Sequence, residues 1–336
     1  MVMFTIQKQK PGKGLAAVDA PKPSLPVGWA RLKVTHAGVC GTDLHIYKWD
    51  AWAEGRIKPP LVAGHEFVGE LIELHPSVDA SRYKLGARYS AECHTTCGVC
   101  VPCRTGNAHV CAETKILGVD INGAFAEEVV VPATNLWPIP AEIPSAHAAI
   151  FDPLGNAMHT CMTVSLSGKK VLITGAGPIG LMCVAMAKSL GAVSVTVTEV
   201  NPGRLAKAVE MGADFALQPQ DLKVKDFDVV LELSGHPAAL RQGLEVLKPT
   251  GDMVLLGIPA GEVALPLAEQ VIFKGLKLHG VVGRRMYDTW YQVENFVRQN
   301  PQAVNKIISH TFPAAQFQQA FDLLEAGNAN KIVLEF

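Results

Sequence analysis

The chain has 336 residues, enough for two domains, and 49% of them are apolar, enough for a large core. The formal net charge of −1, without long basic or acidic runs, argues against a broad nucleic-acid-binding or anionic-membrane surface. The N-terminal residues lack the apolar core of a signal peptide, and the longest apolar run, IGLMCVAMA, is far shorter than the ~20 residues of a membrane span. We therefore expect a soluble, cytoplasmic protein with neither a nucleic-acid nor a membrane partner.

Short apolar runs separated by Gly and Pro, such as WARLKVTHAGVC and HEFVGELIEL, predict irregular β structure in the first half. From about residue 150, apolar strands alternate with helices. The first strand leads through a glycine turn into a helix, in KKVLITGAGPIGLMCVAMAKSLG. The later strands are SVTVTE, DFAL, FDVVLEL, DMVLLGI and LKLHGVV, and helices begin at Pro202, at Pro237 and near Leu267. Six alternating strands predict a parallel sheet with helices on both faces, as in a dinucleotide-binding α/β fold.

A further helix and strand follow this sheet. Phe317, Ala320, Phe321 and Leu324 share one helical face, and Gly327 predicts the end of that helix. The segment KIVLEF then predicts a last strand.

Four cysteines share one short segment with the spacing C-x2-C-x2-C-x7-C: Cys97, Cys100, Cys103 and Cys111. Two residues between cysteines let a tight turn direct two thiolates to one point, and four thiolates form the closed tetrahedral shell of a structural zinc. An iron–sulfur cluster is the alternative, but its usual run has a shorter last gap and a following proline. We predict a structural zinc that braces a loop and leaves no position for substrate. Cys93 is left over as a spare thiol.

A second set of candidate metal ligands lies upstream of this cluster. Cys40 stands in GVCGTDLHIY, and His65 and Glu66 stand in GHEFVGE. A cysteine, an imidazole and a carboxylate suit a catalytic zinc that keeps an open position. Asp152, in FDPLGN, is a fourth candidate, which either binds the metal or orients a water or ligand beside it.

The segment VLITGAGPIG places Gly175, Gly177 and Gly180 as G-x-G-x-x-G between a strand and a helix. In that position the glycines allow a tight turn, close approach of a pyrophosphate and close packing of helix on strand. The helix N-terminus would then hold the phosphate charge. Glu199 ends the next strand, where a carboxylate accepts from the ribose hydroxyls and repels a 2′-phosphate, which favours NAD over NADP. Arg204 either stacks on adenine, tolerates a phosphate or is a solvated helix residue.

These motifs resemble those of the zinc-containing medium-chain alcohol dehydrogenases over nearly the whole chain. The segments that carry the resemblance are VCGTDLHIY, GHE, the four-cysteine segment, FDPLGNAMHT, GAGPIG, VIFKG and MYDTWY. The resemblance implies a GroES-like zinc-binding domain in residues 1–150, completed by 287–336, and a Rossmann NAD-binding domain in 151–286. It also implies a homotetramer.

The resemblance further implies roles for individual residues. Cys40, His65 and Glu66 would hold the catalytic zinc, and the four cysteines the structural one, giving two zinc ions per subunit. Thr42 and His45 would form a proton relay, and Asp152 would act beside the metal. The residues implied around NAD are Ile179, Glu199, Arg204, Leu256, Gly257, Ile258, Val281 and Val282.

FDPLGNAMHT and the segment from VIFKG through GRRMYDTWY distinguish the members of this family that act on L-threonine from the polyol dehydrogenases. The implied reaction is oxidation of L-threonine to L-2-amino-3-oxobutanoate with NAD as hydride acceptor. A threonine site needs a cation for the substrate carboxylate, and Arg284 is the candidate; an ion pair between subunits is its alternative role.

The sequence departs from the family pattern at several points. Glu199 replaces the usual aspartate, Val282 stands where an aromatic residue is common, Cys93 is extra, and the loop at 218–226 is short. A zinc polyol or 2,3-butanediol dehydrogenase with the same cofactor remains the alternative function. A non-catalytic NAD-binding or redox-sensing module is disfavoured, because Cys40, His65 and Glu66 are all present.

Overall fold

The computed structural model describes residues 2–336, and by its internal contacts the chain divides into two units. The first unit comprises Met1–Asp152, Val297–Gln299 and Ile308–Phe336, and the second comprises Pro153–Phe296 and Asn300–Ile307. Within residues 2–336, no helix has both the length and the apolar character that crossing a membrane requires.

The strands are, in chain order, β1 (Val2–Lys8), β2 (Ala16–Pro21), β3 (Trp29–Val39), β4 (Leu61–Val62), β5 (Glu66–Leu74), β6 (Arg88–Ala91), β7 (His94–Thr95), β8 (Lys115–Ile116), β9 (Glu128–Pro132), β10 (Leu136–Pro138), β11 (Lys170–Thr174), β12 (Ser194–Thr198), β13 (Phe215–Leu217), β14 (Phe227–Glu232), β15 (Leu247–Leu255), β16 (Lys277–Gly280), β17 (Ile308–Pro313) and β18 (Lys331–Glu335).

The α-helices are α1 (Gly41–Lys48), α2 (Ala51–Arg56), α3 (Val101–Arg104), α4 (Ser145–Ala148), α5 (Phe151–Met162), α6 (Pro178–Ser189), α7 (Pro202–Glu210), α8 (Pro237–Val246), α9 (Asp288–Gln299), α10 (Pro301–Ile307) and α11 (Phe317–Glu325). Proline occupies the first turn of α6, α7 and α8, where its fixed φ suits a helix start and its missing N–H leaves no bond unmade.

The first unit is built on a seven-stranded sheet in the order β10-β6-β5-β3-β18-β17, with β9 pairing with β3. A three-stranded sheet, β2-β1-β4, and the small pair β7-β8 accompany it. Strand β3 pairs with β5 on one side and β18 on the other, so that Gly38 faces Glu66 and Val39 faces Ile332. The core contains large buried side chains such as Phe67, Phe125 and Phe321.

The second unit contains a six-stranded parallel sheet in the order β13-β12-β11-β14-β15-β16. Its central strand β11 is apolar and almost wholly buried, as expected of a strand covered on both faces. The predicted α/β fold class, irregular β followed by a doubly wound parallel sheet, is confirmed.

Two details differ from the sequence-based expectations. The helix expected near Leu267 is a single π-helical turn, Ala268–Ile272. Most of the segment from residue 287 to 307, expected to complete the first domain, belongs to the second unit, because α10 packs against α6. From Ile308, where β17 begins, through Phe336 the chain belongs to the first unit.

Candidate metal and cofactor sites

The four cysteines of the C-x2-C-x2-C-x7-C segment converge around one point. Their Sγ atoms all lie within 4.8 Å of one another, with Cys97 Sγ 4.0 Å from Cys103 Sγ and 3.6 Å from Cys111 Sγ. The helix α3 begins directly after Cys100, which turns Cys103 back toward Cys97. All the cysteines are free thiols, so the cluster fits a tetrahedral zinc rather than a pair of disulfides.

The electrostatics of this lobe also suit a metal. Backbone N–H groups of Cys97 and Glu113 lower the pKa of Cys111 to about 6, which favours the thiolate form that binds zinc. Burial and hydrogen bonds with the neighbouring cysteines outweigh an N–H from Cys103 and raise the pKa of Cys100 to about 12. Binding of a zinc ion would deprotonate the cysteines that remain as thiols.

The second cluster joins Cys40, His65 and Glu66, whose candidate ligand atoms also lie within 4.8 Å of one another. Cys40 is the N-cap residue of α1, while Glu66 opens β5 directly after His65. His65 and Glu66 are 6% and 1% exposed, and the buried Nδ1 of His65 makes no hydrogen bond. A mixed S, N and O donor set with an unsatisfied buried nitrogen fits a catalytic zinc.

Asp43 connects the two segments that carry these ligands. It is fully buried; one carboxylate oxygen accepts from Cys40 N at 2.8 Å and the other from Gly64 N at 3.1 Å. Burial raises the pKa of Asp43, against the attraction of His65 and these two N–H groups. Asp43 was not among the residues predicted for the site, although it lies within GVCGTDLHIY.

The field at this cluster favours a cation. Burial alone would lower the pKa of His65, but the Cys40 sulfur and the carboxylates of Asp43 and Asp152 outweigh it and raise that pKa to about 10. Asp152 is 5% exposed and is not part of the close group, so the structure places Glu66 with Cys40 and His65.

Glu66 forms a buried ion pair that sequence reasoning missed. Lys331, the first residue of β18, is 2% exposed and donates to Glu66 Oε1 at 2.7 Å and to Val39 O at 3.0 Å. Burial lowers the pKa of Lys331, but the attraction of Glu66 outweighs it and the pKa is raised. The only sequence signal was a lysine opening an otherwise apolar strand.

Thr42 and His45, the residues of the implied proton relay, lie on α1. Thr42 is half-buried, with Oγ1 3.9 Å from Cys40 Sγ. The His45 side chain is 58% exposed, and its Nδ1 contacts Asp50 Oδ2 in a short hydrogen bond. Asp50 also caps α2 by accepting from Ala53 N, and its pKa is lowered chiefly by the hydrogen bond from His45.

Glu92, Cys93 and His94 form a third group of metal-binding residue types within 4.8 Å. Glu92 is fully buried and its Oε1 lies 2.7 Å from His94 Nδ1 and accepts from His94 N. Cys93 Sγ lies 3.5 Å from the same nitrogen. Cys93, described above as a spare thiol, is therefore buried beside a carboxylate–imidazole pair.

The glycine turn joins β11 to α6 in the second unit. Gly175 has φ +93°, which favours glycine, and a Cβ on Gly180 would lie 2.1 Å from the carbonyl oxygen of Gly175. A Cβ on Gly177 would meet open space, so this face of the turn can take a ligand's phosphates. Each glycine thus has the surroundings that its predicted role requires.

Glu199 follows β12 and lies beside this turn. Its Oε2 accepts from Ala176 N at 2.9 Å, while Oε1 accepts from Val200 N at 2.8 Å and Asn201 N at 3.0 Å. Arg204 Nη1 lies 4.0 Å from Oε2. The carboxylate is thereby fixed against the backbone of the glycine turn.

The other expected cofactor residues follow the carboxyl ends of neighbouring strands. Leu256, Gly257 and Ile258 follow β15, Val281 and Val282 follow β16, and Ile179 lies in the first turn of α6. Ile258 and Val282 are 89% and 55% exposed. In an open parallel sheet this edge is where ligands bind.

Glu232, at the end of β14, organises the same edge and was missed from the sequence. It is fully buried and accepts from Thr174 Oγ1 and from the backbone N–H groups of Ser234 and Gly235. A Cβ on Gly257 would lie 2.6 Å from its Oε2, so the loops after β14 and β15 meet at this carboxylate.

Arg284 is 2% exposed, and its side chain packs on Gly155, where a Cβ would lie 2.4 Å from Arg284 Cδ. Its Nη1 lies 3.5 Å from Asn156 Oδ1. The guanidinium is thus held inside the second unit, against α5.

Two family models match the chain: the alcohol dehydrogenase GroES-like domain over residues 26–141 and the zinc-binding dehydrogenase domain over residues 178–299. The chain belongs to the zinc-binding medium-chain alcohol dehydrogenase family, and it is an enzyme of that class.

The curated relatives of the chain carry a more specific name than the family. They include the L-threonine 3-dehydrogenase of Shewanella frigidimarina, 42% identical over 99% of this chain and 100% of the relative. The L-threonine 3-dehydrogenase of Pyrococcus horikoshii is 43% identical over 98% of both chains. Among solved structures, a short chain alcohol dehydrogenase from Escherichia coli complexed with NADH superposes with a TM-score of 0.89 at 29% identity, over 100% of this chain and 99% of that chain.

Proposed function

We propose that this enzyme oxidises L-threonine at carbon 3 to L-2-amino-3-oxobutanoate, with NAD as hydride acceptor. The observation that carries this proposal is the identity of 42–43% with curated L-threonine 3-dehydrogenases over 98–99% of the chain. The clusters described above supply the donor sets that such a reaction requires.

We place one zinc ion at the four cysteines and a second at Cys40, His65 and Glu66. The second ion would acidify the substrate hydroxyl, as zinc lowers the pKa of water from ~15.7 to ~7, and NAD would accept the hydride. The ion at the four cysteines would brace the loop that carries them. Asp43 fixes the spacing of the Cys40 and His65 segments, and Asp152 adds negative charge beside them.

The proton path begins at Thr42, which accepts the substrate's hydroxyl proton and passes it toward His45. The exposed imidazole of His45 releases the proton to solvent, and its hydrogen bond with Asp50 orients the ring. These three residues lie on α1 and directly after it.

NAD is favoured over NADP because Glu199 holds a fixed, buried carboxylate next to the glycine turn. A ribose hydroxyl can donate to this carboxylate, whereas a 2′-phosphate would be repelled by it. Arg204, 4.0 Å from the same carboxylate, balances part of that charge, which leaves less positive charge for a phosphate.

We assign Arg284 to the carboxylate of the substrate, as a buried guanidinium that can form a charge-assisted hydrogen bond. Arg284→Ala should raise the KM for threonine by at least about 10-fold and leave the KM for 2,3-butanediol unchanged, because the diol has no carboxylate. Equal effects on both substrates would assign Arg284 a packing role on Gly155 instead.

The homotetramer expected from the family resemblance is also part of the proposal. The edge strand β16 presents unpaired backbone groups, and nearby apolar side chains are exposed, with Phe273 at 80% and Ile272 at 69%. Light scattering should give four times the 35.9 kDa chain mass, and a monomeric mass would remove this part of the proposal. The cytoplasmic location stays a prediction.

The decisive experiment measures NADH formation by zinc-loaded protein with threonine, sorbitol, xylitol and 2,3-butanediol, together with the zinc content of the same sample. We expect threonine to be used with the highest kcat/KM and about two zinc ions per chain. Preference for a polyol or for butanediol would establish the alternative dehydrogenase function. No NADH with any alcohol would favour a non-catalytic NAD-binding module.

A matched pair of variants separates the two metals. His65→Asn should abolish activity and leave about one zinc per chain, while Cys93→Ala should keep both zinc ions, because Cys93 belongs to neither proposed ligand set.

A further inference from the structure

Lys331 is a cationic residue that lies buried against both segments of the proposed catalytic metal site. Its ammonium group donates to Val39 O, one residue before Cys40, and to the carboxylate of Glu66. Neither the family match nor the sequence pattern assigns it a function.

The position of Lys331 is fixed by the sheet. Strand β3 lies between β5, which carries Glu66, and β18, which carries Lys331. The carboxylate is enclosed from the side of β3, where a Cβ on Gly38 would lie 2.2 Å from Glu66 Oε2. The carboxylate therefore has little room to move away from the ammonium group, and backbone pairing rather than a flexible loop maintains the contact.

Burial makes this ion pair electrostatically strong. Charges attract and repel more strongly in a protein interior than in water, and a buried charge without a partner is strongly unfavourable. A divalent cation held by Cys40, His65 and Glu66 must share the Glu66 carboxylate with Lys331 and is repelled by the ammonium group.

We propose that Lys331 is a positioning residue that sets the affinity of the catalytic metal site, by holding Glu66 in an ion pair that competes with the metal for the carboxylate. Glu66 is then a weak, exchangeable ligand, and a coordination position stays open for substrate. This inference rests on the proposed catalytic zinc at Cys40, His65 and Glu66.

The test uses the full chain with Lys331→Met, which removes the charge and keeps an unbranched side chain, and with Lys331→Arg, which keeps the charge. Zinc dissociation constants are measured by competition with a chelator, and the four-cysteine site of each variant serves as an internal reference. We expect Lys331→Met to bind the catalytic zinc at least about 10-fold more tightly, and Lys331→Arg to stay within about threefold of wild type. Catalytic-site affinity of Lys331→Met within threefold of wild type would overturn the proposal.

Action through Glu66 is tested in a second background. In Glu66→Gln the further change Lys331→Met should tighten zinc binding by a smaller factor than in wild type, because only direct repulsion between the ammonium group and the ion is left. An equal or larger factor in the Glu66→Gln background would overturn the assigned route through Glu66. The visible absorption of the cobalt-substituted site gives a second readout, which should change in Lys331→Met and stay as in wild type in Lys331→Arg.

Lys331→Met leaves Glu66 buried without its counter-charge, and the variant can fail to fold without metal. In that case the protein is refolded with zinc and its unfolding temperature is compared with and without chelator. Zinc should then raise the unfolding temperature more in the variant than in wild type, and an equal rise would overturn the proposal.

The outcomes for the two proposals are distinguishable. If wild type binds zinc only at the four cysteines, the proposed function and this inference both fail. If wild type binds two zinc ions but does not oxidise threonine, the substrate assignment fails and the affinity ratio still decides the role of Lys331.

Discussion

His45 and Asp50 form a hydrogen-bonded pair at the C-terminal end of α1, between the imidazole Nδ1 and the carboxylate Oδ2. The imidazole is mostly exposed, whereas the metal-binding group at the other end of the helix is largely buried. One short helix therefore leads from a partly buried residue proposed as a ligand, Cys40, to an exposed imidazole, which is the arrangement needed to move a proton out of an enclosed site.

Removing the charge of Asp50 should slow the proposed proton release. Asp50→Asn preserves the cap of α2, because asparagine is as good an N-cap as aspartate, but it removes the carboxylate that holds the His45 ring. We expect kcat for threonine to fall about 10-fold, the solvent deuterium isotope effect to rise and the zinc content to stay at wild type. His45→Ala should show the same pattern; loss of zinc from His45→Ala would instead make His45 a ligand.

Filling the space at Gly38 should disturb Glu66. The Cβ of Gly38→Ala would lie 2.2 Å from Glu66 Oε2 and 3.2 Å from Glu66 Cβ, so the carboxylate must shift. We expect lower affinity for the catalytic zinc, an intact structural zinc and a loss of about 1–3 kcal/mol in the free energy of unfolding.

Gly55→Ala is the matched control for this change, because a Cβ there meets open space inside α2. Helix propensity predicts a gain of up to about 1 kcal/mol for it and no change in metal binding. If Gly38→Ala and Gly55→Ala bind zinc with the same affinity, steric confinement of Glu66 does not affect metal binding.

The cysteine segment should hold one zinc independently of catalysis. Cys103→Ser should reduce the zinc content from about two to about one per chain and lower the unfolding temperature, while the remaining metal keeps the Cys40 environment. Elemental analysis and differential scanning calorimetry of the same sample check both effects. Retention of two zinc ions would show that the four thiols do not share a metal.

Glu199 should determine the choice of cofactor. Glu199→Gln keeps the side-chain length but removes the negative charge and one of the acceptors for the backbone N–H groups. We expect the KM for NAD to rise and the ratio of kcat/KM for NADP to that for NAD to increase at least about 10-fold, measured at one threonine concentration. A ratio unchanged from wild type would place cofactor discrimination elsewhere.

The burial of Lys8 leads us to expect that the folding stability of the protein depends on pH. It is fully buried in β1, donates to Gly14 O at 2.9 Å and lies 4.8 Å from the ring centroid of Trp49; burial lowers its pKa to about 8. Between pH 8 and the unfolded pKa near 10.5 the unfolded chain binds more protons, so the folded state gains stability as pH rises, by up to about 1.4 kcal/mol per pH unit.

Below pH 8 both states carry the charge and the cost of burying it is constant. The unfolding temperature of wild type relative to Lys8→Met should therefore be level from pH 7 to 8 and rise from pH 8 to 10, by roughly 1–2 °C per kcal/mol. Lys10→Met, at an exposed position, is the control and should follow wild type. Parallel curves for Lys8→Met and Lys10→Met would contradict the assigned effect of burial.

Local spacing made much of this molecule predictable from its sequence. The four cysteines, the glycine turn and the alternating strands each depend on residues that are near neighbours in the chain, so their geometry follows from turns and periodicity. The structure places Cys97 with Cys103, and Gly175 against Gly180, as such spacing requires.

Contacts set by strand register were not predictable in this way. Lys331 meets Glu66 only because β18 pairs with β3 and β3 with β5, and Glu232 meets Gly257 only where neighbouring parallel strands end. The contact between Glu92 and His94 could have been predicted from the sequence, because an acidic residue and a histidine stand only two positions apart. The predicted boundary at residue 287 differs from the division by internal contacts, in which most of α9 and α10 lies in the second unit, because a helical pattern does not show which unit a helix packs on.

The place of β18 between β3 and β17 has a consequence for biosynthesis. A nascent chain that has emerged from the ribosome only as far as residue 330 already contains Cys40, His65 and Glu66, yet lacks the strand that closes their sheet. Until β18 pairs with β3, Glu66 has no ammonium neighbour. A metal ion that reached Cys40, His65 and Glu66 before that pairing would meet no competitor for the carboxylate, so the proposed weakening of the site would begin only with the insertion of β18.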